Sequence, residues 1–229
     1  MPQVEARLAG GLWVACIVTG MLAFVVESPL IVQNDAALTA TNIMANESSF
    51  RLAFAADLMS GLTYVGVTAL LYVLLKPIGT SVSSVAAFFG LGGVAIGGVA
   101  FLAHLAPVVL LRGDAYLNAF TTSQLQAMAL LALKLRMQMF SIGMVWFGIQ
   151  CMLIGYLIVR SKVVPRALGA LLAAGGSTYL LVSFAHFLAP AVGDRLMLLL
   201  MPVALIGEGA LAVWLLAKGV NGERQIASA

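Results

Sequence analysis

Leu8 to Val26 reads LAGGLWVACIVTGMLAFVV, nineteen residues without a charged side chain. A hydrocarbon core of about 30 Å is crossed by about 20 apolar residues in helical form, so this stretch can span a bilayer. It is longer than the roughly 7–15 apolar residues at the centre of a signal peptide, and no small-x-small cleavage site follows it. It is therefore expected to remain as a first transmembrane helix. Working outward, the run extends over about 8–32, and five more follow at about 52–75, 82–111, 136–159, 166–191 and 196–217. The expected fold is all-α, an integral membrane bundle of six transmembrane helices forming one domain over 1–229.

Composition agrees. The chain of 229 residues is 62% apolar and only 9% charged, with a mean hydropathy of +1.06, against about 25% charged residues in soluble domains. The net charge of +3 comes from Lys and Arg at the ends of apolar runs. This is orientation chemistry and leaves no basic patch for nucleic acid. Six spans put both termini on one side. That side holds Arg7, Lys76, Arg160, Lys162, Arg166, Lys218 and Arg224, while Arg51, Arg112, Lys134, Arg136 and Arg195 fall opposite. The positive-inside rule then predicts cytoplasmic N- and C-termini. Asp35, Glu47, Asp114 and Asp194 fall in the outer loops on this reading, and Trp13, Tyr72, Tyr156 and Trp214 form an inner aromatic belt.

The outer loops carry helical signals. DAALTATNIMANE, from Asp35, reads as a short amphipathic helix capped by Asp35 and lying on the surface. In TTSQLQAMALLALKLR, Thr122 or Ser123 is expected to cap a helix that runs into the fourth span. From there to Arg160 it would be about 55 Å long, so a bend or a protruding first part is expected.

Several motifs reduce to packing. GLGGVA at Gly90 to Ala95 satisfies GxGxxA, which has dinucleotide meaning only at a strand-to-helix turn. Here it lies inside an apolar helix, where Gly93 and Gly97 form a GxxxG pair. Cys16 and Cys151 lack CxxC spacing, and Met137, Met139, Met144 and Met152 suit adaptable apolar filling.

The polar residues within the runs are the candidates for function. Helix rise places Glu27, Asp57, His104 and His186 at a similar depth, about 30 Å from the inner boundary, with Arg136 and Gln138 contributed by the fourth run. On the third run Gly97, Gly93 and Gly90 fall within roughly 60° of arc that includes His104, so the imidazole is expected to face protein. Asp57, Gly61, Tyr64 and Thr68 make a polar and small stripe on the second helix; Tyr179, Ser183 and His186 make another on the fifth. Glu27, Asp57, His104 and His186 are thus expected to line one outward-opening cavity. Such groups could hold a divalent metal, carry protons or bind a ligand. The structural alternative is a polar network with Arg partners at helix ends, where polar residues cost little. Glu208 stands apart, about 15 Å deep by helix rise, and needs to be neutral, paired or hydrated. Gln150, at the same depth, is its expected partner.

The segments RLAGGLW at Arg7 to Trp13, RLAFAADL at Arg51 to Leu58, YVLLKP at Tyr72 to Pro77, FSIGMVWFGIQCMLIGYLIVRS at Phe140 to Ser161, PRALG at Pro165 to Gly169 and LIGEGALAVWLLAKG at Leu205 to Gly219 resemble a bacterial multi-pass membrane family known as domain of unknown function 4386. The resemblance covers nearly the whole chain and implies fold and location, with no activity attached. It also implies a histidine near the start of the fourth span, where this chain has Arg136.

There is no HExxH, no GxSxG and no pair of carboxylates at helical spacing, so the reading leans away from an enzyme. The first expectation is a protein that binds or moves a small lipophilic molecule through an outward-opening polar pocket made from Glu27, Asp57, Tyr64, His104, Arg136, Gln138, His186 and Glu208. One alternative is an intramembrane metal-dependent lipid hydrolase, with His104, His186, Glu27 and Asp57 as ligands. Another is a structural partner of a second membrane protein. Membrane lipids are the expected partners, and no cofactor is expected beyond that divalent metal.

Overall fold

In a computed structural model, which describes residues 2–161 and 163–220, the chain is helical, with no strand among the described residues. The helices are α1 (Pro2–Glu27), α2 (Ala36–Ala45), α3 (Glu47–Leu75), α4 (Thr80–Leu111), α5 (Thr122–Ser161), α6 (Arg166–Leu188) and α7 (Pro190–Ala217). All but α2 are long and apolar enough to cross a membrane, six in number among the described residues. Lys162 and Arg224, counted above for orientation, lie outside the described residues.

Local chemistry sets the boundaries. Asp35 caps α2 as expected, its Oδ1 accepting from the Leu38 amide at 2.8 Å. The cap of α5 is Thr121, one residue before the expected position. Its Oγ1 accepts from the Gln124 amide at 3.3 Å, and Gln124 Oε1 accepts from the Thr121 amide at 2.8 Å. This reciprocal pair satisfies two amides at once, which a cap at Thr122, three residues before Leu125, would not reproduce. The sixth span begins at Pro190, not near 196, and a single residue, Ala189, separates it from α6. Proline at the first helical position has no amide to leave unbonded and a φ already suited to the helix. Asp194 and Arg195 therefore belong to the start of α7 rather than to a loop. Gly219, at φ +69, ends α7 by letting the amides of Lys218 and Gly219 reach the carbonyls of Trp214 and Leu215.

The chain forms two compact units: one of Met1–Ile17, Leu62–Ala95 and Ser141–Ala229, the other of Val18–Gly61 and Ile96–Phe140. In the first, the core draws on Trp13, Val67, Leu71, Leu157, Leu172 and Leu211. Trp13 is fully buried, so it is not part of an interfacial belt; its indole N–H is held by Glu208, described below. Small residues bring backbones together here. A Cβ at Gly176 would lie 2.5 Å from the Gly148 carbonyl oxygen, and one at Gly155 would lie 2.5 Å from that of Gly169, so α5 and α6 meet at a distance only glycine permits. The GLGGVA glycines serve the same end: a Cβ at Gly93 would strike the Phe147 ring and one at Gly92 the Trp146 ring. Gly97, the other half of the GxxxG pair, has open space around it. Cys16 and Cys151 are free thiols, the latter buried.

The second unit is held by two small apolar clusters, Ile43, Phe50, Val108 and Leu133 in one, Ala23, Ala53 and Ala56 in the other. Between helices lined by alanine and phenylalanine it contains the strongest concentration of charge among the buried groups.

Candidate functional site: a buried charge cluster

Four helices each bring one charged or ionisable side chain to the cluster in the second unit. Glu27 is the last residue of α1, where the Ser28–Leu30 turn containing Pro29 stops the α-helix. On α3, Phe50, Phe54 and Asp57 recur at i, i+4 and i+7 and so share one face. His104 lies three residues before Pro107, which sits inside α4 and cannot donate to the Ala103 carbonyl. Arg136 lies well inside α5, which begins at Thr122 and runs into the fourth span as expected.

Arg136 ties the set together. Its Nη1 donates to Glu27 Oε1 at 2.7 Å and to Oε2 at 2.6 Å, and its Nη2 donates to Asp57 Oδ2. Such charge-assisted bonds are about twice as strong as neutral ones. The imidazole of His104 is fully buried. It packs on the Phe50 ring at 4.6 Å and the Phe54 ring at 5.6 Å between centroids. Its Nε2 lies 3.3 Å from the Phe50 carbonyl oxygen, which can only accept, so this nitrogen carries the hydrogen. Nδ1 points to the carboxylates, 3.5 Å from Asp57 Oδ2 and 3.8 Å from Glu27 Oε2. Side-chain exposure is 5% for Glu27 but 18% for Asp57 and 17% for Arg136. The cluster is thus closed on the Glu27 and His104 side and reachable on the other.

The remaining sequence candidates stand elsewhere. Gln138 is exposed, two residues beyond Arg136 and so on a different face of α5. His186 belongs to the first unit, its Nδ1 3.2 Å from Asp194 Oδ1: with α7 starting at Pro190, this carboxylate is on a helix and within reach of the last turn of α6. Tyr64 also belongs to the first unit. It donates to Gln150 Oε1 at 3.0 Å, and Gln150 Nε2 donates to Thr68 Oγ1 at 3.2 Å.

Glu208 has different partners from the one expected. Tyr179 donates its hydroxyl to Oε1 at 2.5 Å, and Trp13 donates Nε1–H to Oε2 at 3.2 Å. Gln150 is occupied by Tyr64 and Thr68, beside a cavity of about 10 Å³ also lined by Tyr72 and Ser83, the size of roughly one water. The Trp13–Glu208–Tyr179 set escapes sequence reasoning because a tryptophan near the end of an apolar run reads as an interfacial anchor. Tyr179 was visible as a member of a polar stripe, and that stripe was the signal.

The sequence profile of the family described as Domain of unknown function (DUF4386) matches residues 8–219. No curated protein and no solved structure matches the chain.

Proposed function

The chain belongs to this family of unknown function, and from the site itself we propose that it is a non-enzymatic membrane protein that binds or moves a small lipophilic molecule at the Glu27–Asp57–His104–Arg136 cluster. The observation that carries the reading is the cluster's exposure gradient. Charged side chains within membrane spans are costly and in general mark ligand or ion pathways. Here Glu27 and His104 are sealed, while Asp57 and Arg136 keep part of their surface accessible. A ligand approaching them meets apolar neighbours on the same helices, since Leu58, Met137 and Phe140 are all exposed. A molecule with an apolar body and one polar group satisfies both surroundings.

The setting proposed with this function is a bacterial inner membrane with both termini in the cytoplasm and the cluster nearer the outer face. What supports that orientation is the sequence count, in which Arg7, Lys76, Arg160, Lys162, Arg166, Lys218 and Arg224 fall to the side of the termini against Arg51, Arg112, Lys134, Arg136 and Arg195 opposite.

Native mass spectrometry of the protein released from its own membranes in mild detergent tests the binding reading. Wild type is expected to carry an adduct of one defined mass that is lost in Asp57→Asn. If both proteins carry only the same distribution of bulk lipids, the small-molecule reading fails.

A further inference from the structure

His104 Nδ1 is buried and without a hydrogen-bond partner among the described residues. With a ring hydrogen on Nε2, facing the Phe50 carbonyl, a neutral imidazole would turn its lone pair toward Asp57 Oδ2 and Glu27 Oε2. Arg136 already bridges the two carboxylate oxygens, but no donor reaches Nδ1, and a lone pair facing two carboxylate oxygens is unfavourable without a positive centre between them. The separations of 3.5 and 3.8 Å exceed the 2.7–3.2 Å or so of an N–H···O bond, so a shared proton does not account for them. They are near the distance between neighbouring ligands in a tetrahedron, about 3.4 Å for bonds of about 2.1 Å. The three ligand atoms all lie within 4.8 Å of one another.

We propose that Glu27 Oε2, Asp57 Oδ2 and His104 Nδ1 form a divalent-cation site of the zinc type, oriented by Arg136 and by the Phe50 carbonyl. One nitrogen and two carboxylate oxygens suit zinc, which takes three protein ligands and leaves a fourth position for water. Magnesium would demand more oxygens, and soft ions would demand sulfur. The surroundings match what metal sites need. The ligating histidine donates its other ring N–H to a backbone carbonyl, which fixes its tautomer. The carboxylates accept from Arg136 on lone pairs that remain free for it, since each oxygen has two. Charge also balances. Two carboxylates and one guanidinium leave one negative charge, and a divalent ion carrying hydroxide in the fourth position brings the set to neutrality. Asp57 and Arg136 keep part of their surface accessible, which gives water a route to the site. The site shares residues with the proposed ligand site, yet zinc binding is read without any organic molecule, so either reading can fail alone.

The test uses the full chain in detergent, stripped with a chelator and re-equilibrated with zinc chloride, followed by desalting, elemental analysis and X-ray absorption. Wild type is expected to retain about one zinc per chain and to melt higher with zinc than without, as any ligand of the native state requires. The absorption spectrum should show nitrogen and oxygen neighbours, an imidazole signature and no sulfur. His104→Gln should lose affinity by about 100-fold or more, while Cys151→Ser keeps it. Should His104→Gln fail to fold, the wild-type stoichiometry and spectrum still decide. The proposal is overturned by substoichiometric zinc, by sulfur in the first shell, by equal binding in His104→Gln, or by a nitrogen NMR spectrum in which His104 stays a doubly protonated imidazolium in the presence of zinc.

Discussion

Replacing Arg136 by methionine keeps the length of the side chain and removes the one cation bonded to both Glu27 and Asp57. Three charge-assisted hydrogen bonds disappear, and the two carboxylates are left unequally exposed. Glu27, with a side chain 5% exposed, cannot recover water, whereas Asp57 at 18% recovers part of it. Removing one partner of a buried pair costs about 3–5 kcal/mol, because the other charge stays behind uncompensated. For a chain of this size roughly 2–4 °C accompanies each kcal/mol, so Arg136→Met should lower the melting temperature by the order of 10 °C. The assay is a thermal melt of the metal-stripped protein in detergent at neutral pH, followed by intrinsic tryptophan fluorescence. The double variant Glu27→Gln with Arg136→Met should recover part of the loss, since the sealed charge is gone, giving a coupling of roughly 1–3 kcal/mol. A single variant within about 0.5 kcal/mol of wild type, or a double variant whose loss equals the sum of the single ones, would refute the idea that Arg136 holds this cluster through charge.

Two further outcomes follow from the other polar groups. A reporter active only outside the cytoplasm should work when inserted near Asn42 or Tyr116 and fail at the C-terminus; the reverse pattern would invert the proposed orientation. Glu208→Gln should fold and melt close to wild type, because the Tyr179 hydroxyl can turn to accept from the amide while Trp13 still donates to the amide oxygen, whereas Glu208→Leu strands both donors and should cost about 1–3 kcal/mol. Equal stability of the Gln and Leu variants would show that these hydrogen bonds contribute nothing.

The six spans were legible because bilayer thickness translates directly into a number of apolar residues, and nothing tertiary competes with that count. Their ends were less so. The start of α5 depends on a reciprocal pair of hydrogen bonds between Thr121 and Gln124, and Thr121, Thr122 and Ser123 all offer a capping oxygen, so composition alone does not choose among them. Partners inside the spans were legible only to the level of depth. Glu208 and Gln150 were matched by helix rise, which fixes height and says little about which helices adjoin. Trp13 and Tyr179 won Glu208 because both are pure or ready donors aimed at its two oxygens, while Gln150 already had Tyr64 and Thr68. For Glu27, Asp57 and His104 depth was joined by a second reading, the glycine face under His104 and the small polar stripe below Asp57, and these three do meet.

The two histidine segments differ in how their prolines are used. Phe101 to Pro107 reads FLAHLAP and Phe184 to Pro190 reads FAHFLAP, nearly the same letters with the histidine three residues before proline in one and four in the other. One residue is about 100° of helix, so the two imidazoles cannot hold the same angle to their prolines. The prolines also act differently. Pro107 lies within α4, which continues to Leu111 and carries His104 in its buried interior, whereas Pro190 opens α7 after α6 has ended at Leu188. Pro190 turns the chain back at once, and Gly193 then lies so close to His186 that any side chain there would collide with its backbone. Asp194, the next residue, is thereby delivered to the His186 ring. His186 thus has a carboxylate from the helix that follows it, while the Nδ1 of His104 faces two carboxylates bridged by Arg136 and has no hydrogen-bond partner among the described residues. It is this difference, created by where each proline falls in its helix, that makes one histidine a local hairpin contact and the other the candidate ligand.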